Sequence, residues 1–241
     1  MQIKKNRVWA MAALLGGVIG LSSCLKQNDP GPQRMNYTGA IINGAYLPSN
    51  VDIFNNGGKM NSGAYKTGNS APFLDLPGLK TFSFRQLNGV GLDSVTQQLD
   101  SLKYYTIITY NDGTKKFTSR LFQEDFSSLS QSKVNFRFIN LSPNAGAVDL
   151  YINNKKVAEN QPFSVNASWQ SVDPFSNSVE YYVTVAGETA QLVKGTSRQS
   201  SGSTQVAFQP GYAYTIYLAG AKDSTGDNKL QLYYLSHTSS Y

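Results

Sequence analysis

The sequence predicts an all-β protein: two tandem β-sandwiches behind an export signal and a short tether. Three observations predict it. The composition is rich in aromatics and glycine and poor in charge, period-2 strand patterns alternate with turn residues, and one order of strands and turns is met twice. Of 241 residues, 40% are apolar, 12% aromatic and only 15% charged, with 21 Gly and 9 Pro. A disordered chain would instead be charged and poor in aromatics. The length suffices for two domains of about 100 residues. One Cys and one His leave no intrachain disulfide framework and no ordinary zinc site, and no cofactor is implied.

The first element is an address. Residues 1–7 carry Lys4, Lys5 and Arg7 and no acid, and Val8–Gly20 follows without a charged side chain. A basic head and a short apolar core describe a secretory signal. Thirteen residues at 1.5 Å each reach about 20 Å, short of the ~30 Å needed to span a bilayer. The segment ends in Leu21-Ser22-Ser23-Cys24, which resembles the lipobox of bacterial lipoproteins of the Bacteroidetes type. The chemistry requires a thiol, because sulfur accepts a diacylglyceryl group as a stable thioether. The resemblance implies cleavage between Ser23 and Cys24 and acylation of Cys24, with palmitate-type chains. Each buried CH₂ contributes about 0.8 kcal/mol, so two or three chains anchor durably. The only thiol in the chain stands where this chemistry wants it.

Residues 24–36 hold two Pro and one Gly and no apolar periodicity, the composition of a tether. Leu25 follows the Cys, where an Asp would resemble an inner-membrane retention signal, so the outer membrane is expected; which face of it is left open. Loss of residues 1–23 removes Lys4, Lys5 and Arg7, and the formal charge falls from +6 to +3. No Lys/Arg cluster of nucleic-acid type remains.

Strand patterns fill the rest. In the second half they fall at Val134–Asn140, Val148–Ile152, Trp169–Val172, Val179–Val185, Thr204–Phe208, Tyr212–Ala219 and Lys229–Leu235, separated by turn residues such as Ser142-Pro143-Asn144 and Pro210-Gly211. Seven short strands in about 108 residues suit an antiparallel sandwich. Shifted by 97 residues, Ile41–Met60 lies over Phe138–Val157 without a gap, matching Asn43 to Asn140, Val51 to Val148, Asp52 to Asp149, Asn56 to Asn153 and Lys59 to Lys156. Further on, Tyr105-Thr106-Ile107 resembles Tyr214-Thr215-Ile216. The order suggests a duplication, giving a first sandwich over 37–131 and a second over 134–241.

The segment Phe138–Asn154, with Ser142-Pro143-Asn144, Val148-Asp149-Leu150-Tyr151 and Asn153-Asn154, resembles the opening of the domain-of-unknown-function family numbered 4397. The first half departs from that pattern, since Gly44–Asn50 lacks the Ser-Pro-Asn turn. The resemblance implies an extracytoplasmic, β-sandwich-like architecture, often in tandem and without established chemistry. Two immunoglobulin-like antiparallel β-sandwich domains are therefore expected.

Candidate residues are few. Alternation along Val148–Ile152 turns Asp149 outward beside the Ser142-Pro143-Asn144 turn, where its carboxylate can accept backbone N–H groups. Asp52 holds the same place in the first half, and a recurring acid suits a structural brace better than a catalytic group. His237, five residues from the end, would have to serve any Ser-His-Asp triad, and no nucleophile elbow accompanies it; an exposed surface histidine is expected. Among 11 Asp and 4 Glu, nothing selects a glycosidase pair. Asp223–Asn228 is too short for a calcium loop and reads as a turn. Trp169, the only Trp after the signal, is either core or a platform for a sugar. The expected protein is not an enzyme. It is an envelope lipoprotein, membrane-bound through its lipid, with a binding or scaffolding role toward an envelope protein or glycan. The alternative is an accessory glycan-binding lipoprotein of a polysaccharide-uptake system, and a hydrolase is the third reading.

Overall fold

The computed structural model describes residues 35–197 and 203–237. The signal segment, Ser23, Cys24 and the tether up to residue 34 lie outside the described residues. From Met35 on, the chain forms one compact unit containing two sandwiches.

The first sandwich comprises β1 (Tyr37–Asn43), β2 (Asn50–Asn55), β3 (Gly58–Lys59), β4 (Tyr65–Lys66), β5 (Ser70–Asp75), β6 (Gly78–Arg85), β7 (Gly91–Leu99), β8 (Tyr104–Asn111) and β9 (Phe117–Glu124). The second comprises β10 (Val134–Asn140), β11 (Val148–Ile152), β12 (Lys155–Gln161), β13 (Gln170–Val172), β14 (Val179–Val185), β15 (Gln191–Lys194), β16 (Gln205–Val206), β17 (Ala213–Ala219) and β18 (Gln231–His237). A single 3-10 turn, Gly226–Asn228, sits between the last two strands.

Each sandwich has an outer and an inner sheet. The outer sheets run β3-β2-β6-β7 and β12-β11-β14-β15, and the inner sheets run β5-β1-β8-β9 and β13-β10-β17-β18. The all-β tandem architecture is as the sequence predicts. One pairing in each inner sheet departs from the antiparallel expectation: β1 pairs β8 in parallel, Ile41 opposite Ile107, and β10 pairs β17 in parallel, Phe138 opposite Ile216. A parallel pair needs a long crossover. Here the strands β2 to β7 and β11 to β16, which build the outer sheet and one inner edge strand (β5 or β13), are that crossover.

The central strands of the inner sheets, β1, β8, β10 and β17, are buried on both faces, and their alternation sorts side chains into separate layers. Tyr37 and Ile41 of β1, with Tyr105 and Ile107 of β8, join Val51, Ile53, Phe82 and Phe84 in the core of the first sandwich. Phe136 and Phe138 of β10, with Tyr214, Ile216 and Leu218 of β17, join Leu150, Ile152, Tyr181 and Val183 in the core of the second. The intervening residues point the other way. Ala40, Ile42, Ile108 and Tyr110 meet Ile139, Leu141, Tyr217, Ala219 and Leu235 in a third core between the two inner sheets. The unit is thus four sheets deep. Continuous apolar runs, in place of simple alternation, mark strands covered on both faces, and Ala213–Ala219 is buried at all seven positions.

Gly39 is required by this packing. A Cβ there would overlap the ring of Phe73 on the neighbouring strand β5, and that ring packs edge-on against Tyr37 at 6.0 Å.

Candidate functional site

The two sandwiches repeat three local devices. Asn43 and Asn140, both buried, end their parallel strands with the same turn. The Asn43 Oδ1 accepts the Ala45 N–H at 3.2 Å, and the Asn140 Oδ1 accepts the Ser142 N–H at 3.1 Å. An Asn that bonds the backbone two residues on stops a strand and starts a turn. Tyr105 and Tyr214 each accept, through the phenol oxygen, a backbone N–H five residues upstream: Asp100 at 2.9 Å and Gln209 at 2.9 Å. This is the tyrosine corner of immunoglobulin-type sandwiches.

The third device is the recurring acid. Asp149 is 1% exposed and accepts the Asn160 N–H at 2.7 Å, the Gly187 N–H at 3.3 Å and the Lys156 ammonium at 2.8 Å. Burial alone would raise its pKa, but these donors outweigh it and hold the carboxyl below the ordinary carboxylate range. Asp52 meets Lys59 at 2.8 Å and Asn61 at 3.4 Å in a more exposed setting. The 97-residue shift therefore pairs two Asp–Lys contacts. The expected partner is corrected: Asp149 is buried rather than outward and takes no N–H from the Ser142-Pro143-Asn144 turn, because Asn160 and Gly187 supply its donors and it braces β12 and the turn after β14. The Ser142-Pro143-Asn144 turn is closed separately: Ser142 Oγ donates to Asn144 Oδ1 at 3.3 Å, which also accepts the Lys222 N–H at 3.0 Å.

The densest polar cluster lies between the inner sheets. Glu124, the last residue of β9, and Arg137 of β10 form a two-pronged ion pair, Nη1 to Oε2 at 2.9 Å and Nη2 to Oε1. The Arg137 Nε donates to Thr215 Oγ1 at 3.0 Å, and Thr215 Oγ1 pairs with His237 Nε2 at 2.8 Å. Trp169 lies over the guanidinium, 4.8 Å from ring centroid to Cζ, and meets Phe126 and His237 edge-on at 5.5 and 5.6 Å.

Two expectations are corrected here. His237 is not an exposed surface residue: it is 8% exposed, because β18 runs through His237 and pairs it with Ala213. Burial, with a smaller effect from Arg137, pushes its pKa down to about 3, so the imidazole is neutral and caged. Trp169 is not a presented sugar platform: its ring is half-buried and engaged by Arg137, Phe126 and His237. Glu124 and Arg137 were not legible as partners. The signal was a charged residue between two apolar ones in Phe136-Arg137-Phe138; Glu124, flanked by Gln123 and Asp125, carried none.

Among the described residues no group of three or more His, Cys, Asp or Glu side chains could hold a metal ion. Two open clefts lie among the described residues. One, of about 310 Å³, lies between Pro48–Asn50 and Gln86–Asn88. The other, of about 290 Å³, lies where Tyr65, Asn69 and Ser70 of the first sandwich face Thr196, Ser197 and Tyr233 of the second.

The comparison with curated proteins found no match. A crystal structure described as that of a "putative cell adhesion protein" from Bacteroides eggerthii DSM 20697 is 11% identical, with 85% of this chain and 96% of that chain covered at a TM-score of 0.23. The family match corrects the expected placement: it falls mainly on the first sandwich, which the sequence reading takes as the departing half, and reaches only the opening of the second, as far as Tyr151. Over residues 40–151 the chain matches the family described as Domain of unknown function (DUF4397), and it is this family that the chain resembles.

Proposed function

We propose that the protein is a lipid-anchored component of the bacterial cell envelope with a non-catalytic binding or scaffolding role. The observation that carries this reading is where the two most reactive side-chain types stand. The only thiol is Cys24, at the end of a lipobox-like segment. The only imidazole is His237, sealed between two sheets and held neutral. A general base must reach a substrate proton, and among the described residues the His237 ring is engaged by Thr215, Phe126 and Trp169. The anchored chain presents two rigidly braced sandwiches, and contact falls to their end loops and sheet edges.

Replacing Cys24 with Ser tests the anchor. The expected result is accumulation of uncleaved precursor and loss of lipid labelling; normal processing of the variant would contradict it.

A second reading, glycan binding in a polysaccharide-uptake system, draws support from the cleft between Tyr65 and Tyr233. Its rim carries hydroxyl and amide side chains beside two aromatic rings, the chemistry of sugar recognition. Saturable binding on a glycan array, weakened by Tyr233→Ala, would favour it over a protein partner.

A further inference from the structure

The exposed apolar side chains are unevenly placed. Nine large ones stand out among the described residues, and all of them precede the second sandwich. Five of the nine gather at one end of the first: Met35, Leu74, Leu76, Leu79 and Leu102, exposed by 49–67%. Strand register brings them together. The Leu102 N–H donates to the Asn36 carbonyl at 3.0 Å, Thr38 sits between Leu74 and Tyr104, and Gly78 pairs with Leu99. This is also the end at which the chain enters the fold, at Met35.

We infer that this end is a foot that rests on the lipid surface to which the protein is anchored. The inference rests on acylation of Cys24. Met35 stands eleven positions after Cys24, a reach of at most about 40 Å when extended, so an acylated Cys24 keeps this end close to the bilayer. Exposed apolar side chains grouped together mark an interaction site, and shallow burial of leucines at the headgroup boundary is a known mode of membrane contact. Attraction to anionic lipid is not the driving force. Lys80 is neutralised by Asp75 at 2.6 Å, and Lys103 has Asp100 and Asp125 as near neighbours in its turn and the next. The opposite end of the same sandwich serves as an internal control. Leu87, 57% exposed, lies eight residues along the β6 hairpin from Leu79, about 26 Å away.

The test uses full-length protein purified from membranes, its N-terminus checked by mass, in phosphatidylethanolamine/phosphatidylglycerol vesicles with brominated acyl chains. Leu79→Cys, Leu102→Cys and Leu87→Cys each place one bimane label, since acylation blocks Cys24. Brominated lipid should quench the labels at 79 and 102 at least about twofold, in low salt and about 1 M salt alike, and leave 87 unchanged. Acylated protein with no quenching at 79 and 102, or with equal quenching at 87, overturns the foot and leaves the anchor standing. Protein without an acyl chain overturns both. Cross-linking of 79 to 79 between molecules in solution would assign the patch to a second copy and overturn the membrane foot.

Discussion

Glu124 and Arg137 are thirteen residues apart in sequence and belong to different sandwiches, yet their side chains form a bidentate pair with 4% and 5% exposure, respectively. The loop between them folds back on the pair: Phe126 packs on Trp169 and His237, and Ser130 and Asn135 exchange hydrogen bonds at 3.0 and 2.8 Å. This junction packs the two sandwiches against each other within one compact unit.

Removing one charge strands the other in a dry interface. Glu124→Gln or Arg137→Met should cost about 3–5 kcal/mol, whereas the paired Glu124→Leu/Arg137→Met change should cost much less. Urea unfolding of the three variants checks this. A double loss equal to the sum of the two single losses would show that the pair is not a coupled unit.

The same junction makes stability depend on pH. The folded pKa of His237 is depressed to about 3, against about 6.5 in the unfolded chain. Above pH 6.5 both states hold it neutral, and it contributes no slope. As pH falls toward 3 the unfolded state takes up a proton that the folded state refuses, so stability declines, by about 1.4 kcal/mol per pH unit at the limit. His237 is the only histidine, so His237→Gln should flatten the curve between pH 6.5 and 4.5. Below that range the depressed carboxyls Asp75 and Asp149 add their own loss, since their contribution is present above the ordinary carboxylate pKa and fades below it.

The recurring acids should differ in weight. Asp149→Asn disturbs a buried carboxylate with three donors and should cost about 2–4 kcal/mol. Asp52→Asn affects a more exposed pair and should cost about 1 kcal/mol or less. Thermal denaturation separates the two, and a larger loss at Asp52 would remove the asymmetry drawn from burial.

Much of this fold was legible. The boundaries Val134–Asn140, Val148–Ile152 and Val179–Val185 coincide with β10, β11 and β14, because alternating apolar residues and the Asn or Pro-Gly turns around them leave little choice. β12 and β15 were missed: Lys155–Gln161 and Gln191–Lys194 are polar edge strands with no apolar period. The central interface was missed for a different reason. Period 2 reports which face of a strand is buried, and Ile107-Ile108 or Tyr217-Leu218-Ala219 reports both. A run that is apolar throughout was read as a good strand, without asking what covers its second face.

That interface also governs the fate of a half. Residues 134–241 expressed alone would expose Ile139, Leu141, Tyr217 and Leu235 to water. The fragment should form β-structure but associate or precipitate, while 35–241 should unfold in one cooperative step. A monomeric, fully soluble fragment as stable as the whole unit would show that the third core contributes little. Tyr217→Phe, which removes the bond from the phenol to the Gly68 carbonyl at 2.6 Å, should weaken the union by about 1–2 kcal/mol.

Anchoring is the claim on which the functional reading depends, and intact-mass analysis of the mature protein from its native membrane tests it most directly. The account predicts a chain that begins at Cys24 and carries the added mass of two or three acyl chains on a glyceryl thioether. A chain that begins at any other residue, or an unmodified Cys24, would contradict it.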